Sequence, residues 1–170
     1  MSELQKLLDI VNTLRSEGGC PWDREQTHES LKPCLIEEAA EVVGGINLLS
    51  ETGSPDNLKE ELGDLLLQVV MHAQIASEEG LFDIEDVARC IGEKMVRRHP
   101  HVFGDAEVSG ADEVLDRWDE IKNQEKQGKE AVEANLPEAF AESIALIERA
   151  KKRKEAKIAS KYSLTDTLSK

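Results

Sequence analysis

Apolar residues recur at helical intervals from the start of the chain. Leu4, Leu7, Leu8, Val11 and Leu14 mark a first helix that Gly18-Gly19 should stop. The polar loop 18–27 holds Trp22, a large ring that a pocket or a ligand has to cover. A second helix is expected from near Ser30 to about Leu49, with Pro33 in its first turn and Leu35, Ala39, Val42, Val43 and Ile46 facing inward. Ser54-Pro55 reads as the cap and first residue of a third helix, which carries Leu58, Leu62, Leu65, Leu66, Val69, Val70 and Ala73 and ends at Gly80. The short connection predicts that these two helices pair antiparallel. Asp83 caps a fourth helix with Ile84, Val87, Ile91 and Met95 inward, broken at His99-Pro100. A fifth follows with Val114, Leu115, Trp118 and Ile121 on one side, and Leu136-Pro137 opens a last, basic helix running to about Ile158. The pattern therefore predicts an all-α helical bundle: a main domain over 1–125, a C-terminal helical extension over 126–158 and a frayed tail over 159–170. Gly44-Gly45 falls where stronger helix formers belong, which questions how straight the second helix can be.

Composition supports the helical reading, since aromatics are scarce and the chain of 170 residues is long enough to bury one core. The formal charge of −14 opposes binding to polymeric nucleic acid or an anionic membrane surface, and no apolar run approaches a membrane span. A small polyanion remains possible where metal ions or local cations offset the field. Cys20, Cys34 and Cys90 form an odd set without a Cys-x-x-Cys pair, which argues against a disulfide framework and a zinc knuckle. Together with a start that lacks a signal-peptide pattern, they predict a cytoplasmic protein.

Candidate chemistry lies on the second and third helices. Glu38 and Glu41 are three residues apart, as are Glu61 and Asp64, so each helix offers a carboxylate pair about one turn apart. Such pairs are common on solvated faces, but Glu38 falls inside the apolar arc of Leu31, Leu35, Val42 and Leu49. Carboxylates gathered at a bundle interior repel one another unless cations neutralise them. All-oxygen donors suit magnesium or manganese, whereas a ferritin-like iron site would need histidine where Gly44 and Asp64 stand. Lys94 and Arg98, four apart and among the inward positions of the fourth helix, are the candidate phosphate-binding cations; Arg97 points off that face.

Four segments in this order resemble the MazG nucleoside triphosphate pyrophosphohydrolases: Gly19-Cys20-Pro21-Trp22-Asp23, Glu37-Glu38-Ala39-Ala40-Glu41, Glu61-Leu62-Gly63-Asp64-Leu65-Leu66 and Arg97-Arg98-His99-Pro100-His101-Val102-Phe103. The resemblance spans roughly residues 4 to 125. It implies an oligomeric all-α pyrophosphohydrolase, a homodimer or tetramer. It also implies magnesium-dependent water attack at the α-phosphorus of a nucleoside triphosphate, giving the monophosphate and pyrophosphate. Glu38, Glu41, Glu61 and Asp64 would hold the metal, with Glu38 or Glu41 acting on the water and Glu37 beside them. Lys94 and Arg98, with Arg97 as a weaker partner, would contact the triphosphate, and Trp22 and Asp23 the base or sugar. Two features depart from the family. The chain carries one copy of a domain that many members carry twice, and Lys161-Tyr162-Ser163-Leu164-Thr165-Asp166 replaces a Gly-Phe-Asp-Trp-like segment that would stack on a base. A narrower substrate (phosphoribosyl-ATP, dUTP or dCTP) and a non-catalytic helical interaction module are the competing readings.

Overall fold

The structure, a computed structural model, describes residues 1–167, with side chains described through Lys161. Among the described residues it is helical without strands, as the apolar periodicity predicts. The elements are α1 (Glu3–Arg15), α2 (Pro21–Glu25), α3 (His28–Thr52), α4 (Asp56–Glu78), α5 (Ile84–Arg98), α6 (Pro100–Phe103), α7 (Ala111–Lys126) and α8 (Glu130–Thr167).

Local chemistry sets most of the boundaries. Thr27 and Ser30 form a reciprocal capping box at the start of α3, with bonds of 3.1 and 2.9 Å, and Gly53 closes that helix at φ 75°, a left-handed conformation that glycine adopts without penalty. A second box, Asp83 with Asp86, starts α5 as expected. Other boundaries differ from the sequence reading. Because α3 begins at His28, Pro33 lies beyond the first turn and removes the helical bond that would reach the Glu29 carbonyl. Pro55, not Ser54, occupies the N-cap of α4 and makes no side-chain cap; the Ser54 N–H is instead met by the Thr52 hydroxyl at 3.2 Å. The last helix begins at Glu130 with Pro137 inside it, and it continues to Thr167 through most of the segment expected to fray; 168–170 lie outside the described residues.

The α3–α4 hairpin is the body of the molecule, and its register can be read from three meetings. His28 stacks on His72, Glu38 lies beside Asp64 and Glu61, and Gly45 backs onto Leu58. Descending numbers on one helix against ascending ones on the other make the pair antiparallel, as predicted. Gly45 is the reason for the closeness: a Cβ there would stand 2.9 Å from the Leu58 Cα. The Gly44-Gly45 step thus leaves α3 continuous and serves a backbone contact. At the far end Val11, Leu31, Val70, Met71 and Ile75 form the buried cluster, with Leu7, Leu8, Leu67 and Ile84 against it. Each such side chain contributes about 1.5–3 kcal/mol when fully buried.

Helix α8 lies along α3, seated by the buried Leu146. Lys32 meets Glu142 at 3.3 Å, while Arg153 and Lys154 meet Glu37 and Glu41, so the contacts rise together and the two helices run parallel. Several residues expected to face inward are exposed instead: Val43 and Ile46 on α3, Leu62, Leu66 and Val69 on α4, Ile91 on α5 and Leu115 on α7. Their periodicity is real, but no described element covers them. No described helix is long and apolar enough to cross a membrane.

Candidate active site

Glu38 on α3 and Glu61 and Asp64 on α4 place one carboxylate oxygen each within 4.8 Å of one another. The antiparallel register brings them together: Glu61 and Asp64 sit one turn apart on the face of α4 that looks at Glu38. Glu61 accepts a bond from the Asn57 side chain at 2.9 Å, which fixes its orientation and leaves its second oxygen free of that bond. Burial, followed by repulsion from Asp64, Glu37 and Glu61, raises the pKa of Glu38 above the ordinary carboxylate value, and a nearby cation would favour its charged form. The donors are all oxygens, of graded exposure from half-buried Glu38 and Glu61 to exposed Asp64. That set fits a hard divalent ion such as magnesium, reachable from solvent.

Glu41, expected as the fourth ligand, is not in this group. Its carboxylate pairs with Lys154. At about 100° per residue, Glu41 projects about 40° from Glu37 and about 60° from Glu38, on the border between the α8 side and the α4 side of α3. Glu37 accepts from Arg153 and lies 3.7 Å from Lys154, and the Arg153 hydrogen bond holds its pKa below the usual carboxylate range. Arg153 and Lys154 were not legible as site residues; the only sequence signal was the basic run from Arg149 to Lys157.

The expected phosphate-binding residues lie elsewhere. Arg97 and Arg98 both bind Glu125 of α7, at 2.7 and 2.6 Å, and these two guanidiniums, Arg98 first, pull the Glu125 pKa down to about 2. Lys94 lines a cleft of about 460 Å³ with Phe82, Asp86, Val87, Cys90 and Ile91. That cleft is predominantly apolar and contains none of the clustered carboxylates, so its size does not make it the site of chemistry. No ion pair joins Lys94, Arg97 or Arg98 to Glu38, Glu61 or Asp64 among the described residues.

Trp22 is not covered by the bundle, as its ring-bearing residue is 58% exposed on α2. Its mounting is firm nonetheless. The nearly buried Arg15 side chain donates to the backbone carbonyls of Asp23 and Gln26 and to Glu78, the last at 2.7 Å, which ties α2 to both α1 and α4. The stripe on α4 continues below Asp64 with Gln68 and His72, whose Oε1 and Nε2 are buried without partners. His28 and His72 share a 2.8 Å Nδ1···Nδ1 contact, and burial, then the His28 charge, lowers the His72 pKa.

The family model for the MazG nucleotide pyrophosphohydrolase domain matches residues 26–103, which include Glu37, Glu38, Glu41, Glu61 and Asp64. The nucleoside triphosphate pyrophosphohydrolase/pyrophosphatase MazG of Thermotoga maritima is 53% identical over 127 residues, 75% of this chain and 47% of the relative. The nucleoside triphosphate pyrophosphohydrolase of Escherichia coli K12 is 46% identical over 130 residues, 76% and 48% respectively. The chain thus spans about half the length of these curated relatives. The crystal structure of a MazG-related protein from Thermotoga maritima superposes with a TM-score of 0.55 at 28% identity, covering 70% of this chain and 98% of that one. The carboxylate cluster on the α3–α4 hairpin falls inside the matched domain, and the chain belongs to the MazG nucleotide pyrophosphohydrolase family.

Proposed function

We propose that the protein hydrolyses nucleoside triphosphates to the monophosphate and pyrophosphate, with magnesium, or manganese in its place, held by Glu38, Glu61 and Asp64. The observation that carries this reading is the convergence of three carboxylates from two helices in a domain whose relatives are named as nucleoside triphosphate pyrophosphohydrolases. A bound divalent ion would supply charge neutralisation for the phosphates and acidify water near the α-phosphorus. Asn57 orients Glu61 by its hydrogen bond. Glu41 stands one turn from Glu38 on the cluster's border and is the carboxylate left to orient the attacking water or accept its proton. Trp22, exposed on a clamped helix, offers a stacking face for a base, with Asp23 beside it for the sugar.

Self-association belongs to the same reading. Leu62, Leu66 and Val69 form an exposed apolar stripe at helical spacing, and the α5 cleft presents a second apolar surface with Lys94 at its edge. A second copy of the chain would cover such surfaces and bring further residues, the α5 cations among them, to the carboxylates.

The test is pyrophosphate release from a panel of canonical and modified triphosphates, phosphoribosyl-ATP included, with magnesium and with chelator. Magnesium-dependent pyrophosphate and monophosphate from one or more nucleotides supports the proposal. Absence of turnover on every member of the panel rejects it.

A further inference from the structure

The protomer's own phosphate-facing charge is left unassigned by the reading above. Glu37, Glu38, Glu41, Glu61 and Asp64 put five carboxylates around one stretch of the hairpin, and a triphosphate would bring about four more negative charges. The α5 arginines are engaged by Glu125. The cations that do border the cluster stand on α8. Arg153 bonds Glu37, and Lys154 joins Glu41 and reaches to 3.7 Å from Glu37; the Lys154 charge is felt at Glu38 as well. Their carboxylate partners are only 16% and 29% exposed, so these pairs sit partly within the α3–α8 seam. Beside them a cleft of about 300 Å³ opens between the two helices, lined by Ile36, Ala40 and Ile147 together with Glu37, Glu41 and Lys154.

We propose that Arg153 and Lys154 are phosphate-binding residues of the α3–α4 carboxylate site, held on Glu37 and Glu41 in the empty protein and handed to the substrate's phosphates once a divalent ion is bound. This rests on the functional reading given above. The position of Glu41 makes the exchange possible. It borders both the α8 seam and the Glu38 cluster, so a rotation of its side chain toward the cluster releases the Lys154 ammonium without moving either helix. Arg153 adds a planar fork suited to two phosphate oxygens, and Lys154 a compact point charge. Both are about half exposed, at 55% and 46%, so their heads can reorient while Leu146 keeps α8 seated.

The experiment uses the full chain and four proteins: wild type, R153Q/K154M, K154M and K154R. Manganese binding is followed alone by electron paramagnetic resonance, and inorganic pyrophosphate binding in magnesium by calorimetry. Each lost charge-assisted contact is worth about tenfold or more in affinity. The double variant should therefore bind manganese at least as tightly as wild type, because a competing ammonium is gone, yet bind pyrophosphate at least about tenfold more weakly. K154M should show an intermediate loss that K154R largely restores, and for a triphosphate substrate KM should rise more than kcat falls. Pyrophosphate affinity unchanged within about twofold in the double variant overturns the proposal. So does loss of manganese binding in that variant, which would mark a merely structural role. A wild type that binds neither manganese nor pyrophosphate overturns the functional reading itself.

Discussion

Replacing Glu38 by glutamine should make the metal-free protein more stable and the metal-loaded protein less so than wild type. In the structure the Glu38 carboxylate lies within 4.8 Å of those of Glu61 and Asp64, two like-charge contacts. At that separation each costs about 0.9 kcal/mol in a water-like medium and about 3.5 kcal/mol at an effective dielectric constant of 20. Asp64 is exposed and Glu38 only half-buried, so the lower figure governs and the pair of contacts sums to about 2 kcal/mol. For a chain of this size that raises Tm by about 4–8 °C. The raised pKa of Glu38 agrees in sign: a carboxyl that binds its proton more tightly when folded opposes folding at neutral pH, and the penalty fades as pH falls through its folded pKa. Magnesium reverses the order. At a hundredfold excess over its dissociation constant it stabilises wild type by about 2.7 kcal/mol, and E38Q, with one anionic donor removed, should gain little of this. Thermal unfolding at pH 7.5 with chelator and with magnesium reads both effects. If E38Q melts below wild type in chelator, or if magnesium raises both proteins equally, the cluster is not a strained cation site.

The hairpin, the α5–α7 junction and the apolar stripe each give a further expectation. G45A should lose about 1–3 kcal/mol in urea unfolding, because its methyl would meet the Leu58 backbone, whereas G44A, with open space around it, should gain about 0.5–1 kcal/mol. Glu125, held down at about 2 by Arg98 and Arg97, contributes a tie that is fully present above the ordinary carboxylate value of 4.5 and is lost as pH falls toward about 2. E125Q should therefore raise hydrogen exchange in α7 at neutral pH, as acid should in wild type; equal exchange in the two proteins at pH 7 would show that the tie is idle. L66E should shift sedimentation toward the monomer if Leu62, Leu66 and Val69 meet a second copy, and an unchanged assembly would move the interface elsewhere.

Helix identity was readable because the apolar spacing is strong and Asp83 caps the start of α5, whereas the Thr27 and Gly53 caps of α3 were found only in the structure. Prolines misled for a physical reason. Pro33 and Pro137 were placed at helix starts, where a missing N–H is harmless, but the Thr27–Ser30 box starts α3 ahead of Pro33 and α8 starts at Glu130, ahead of Pro137. Which apolar residues are covered was less legible, since periodicity gives a face but not its partner; Leu62 and Ile91 show the same pattern as the core and yet lie open. At the site, one-turn spacing and the inward angle of Glu38 located the Glu38, Glu61 and Asp64 group. The same spacing put Glu41 with them, because a sequence cannot show that Lys154, more than a hundred residues away, stands on its other side. The engagement of Arg97 and Arg98 by Glu125 was hidden likewise, as it depends on where α7 packs.

The proposed hydrolysis depends on a divalent site that directs water to one phosphorus. The most direct measurement is turnover of a nucleoside triphosphate in ¹⁸O-labelled water with magnesium, using wild type and D64N, with the label located in the products by mass spectrometry. The expected result is label in the nucleoside monophosphate, unlabelled pyrophosphate, and loss of turnover in D64N. Label in inorganic phosphate with release of a nucleoside diphosphate, or full turnover by D64N, would contradict it.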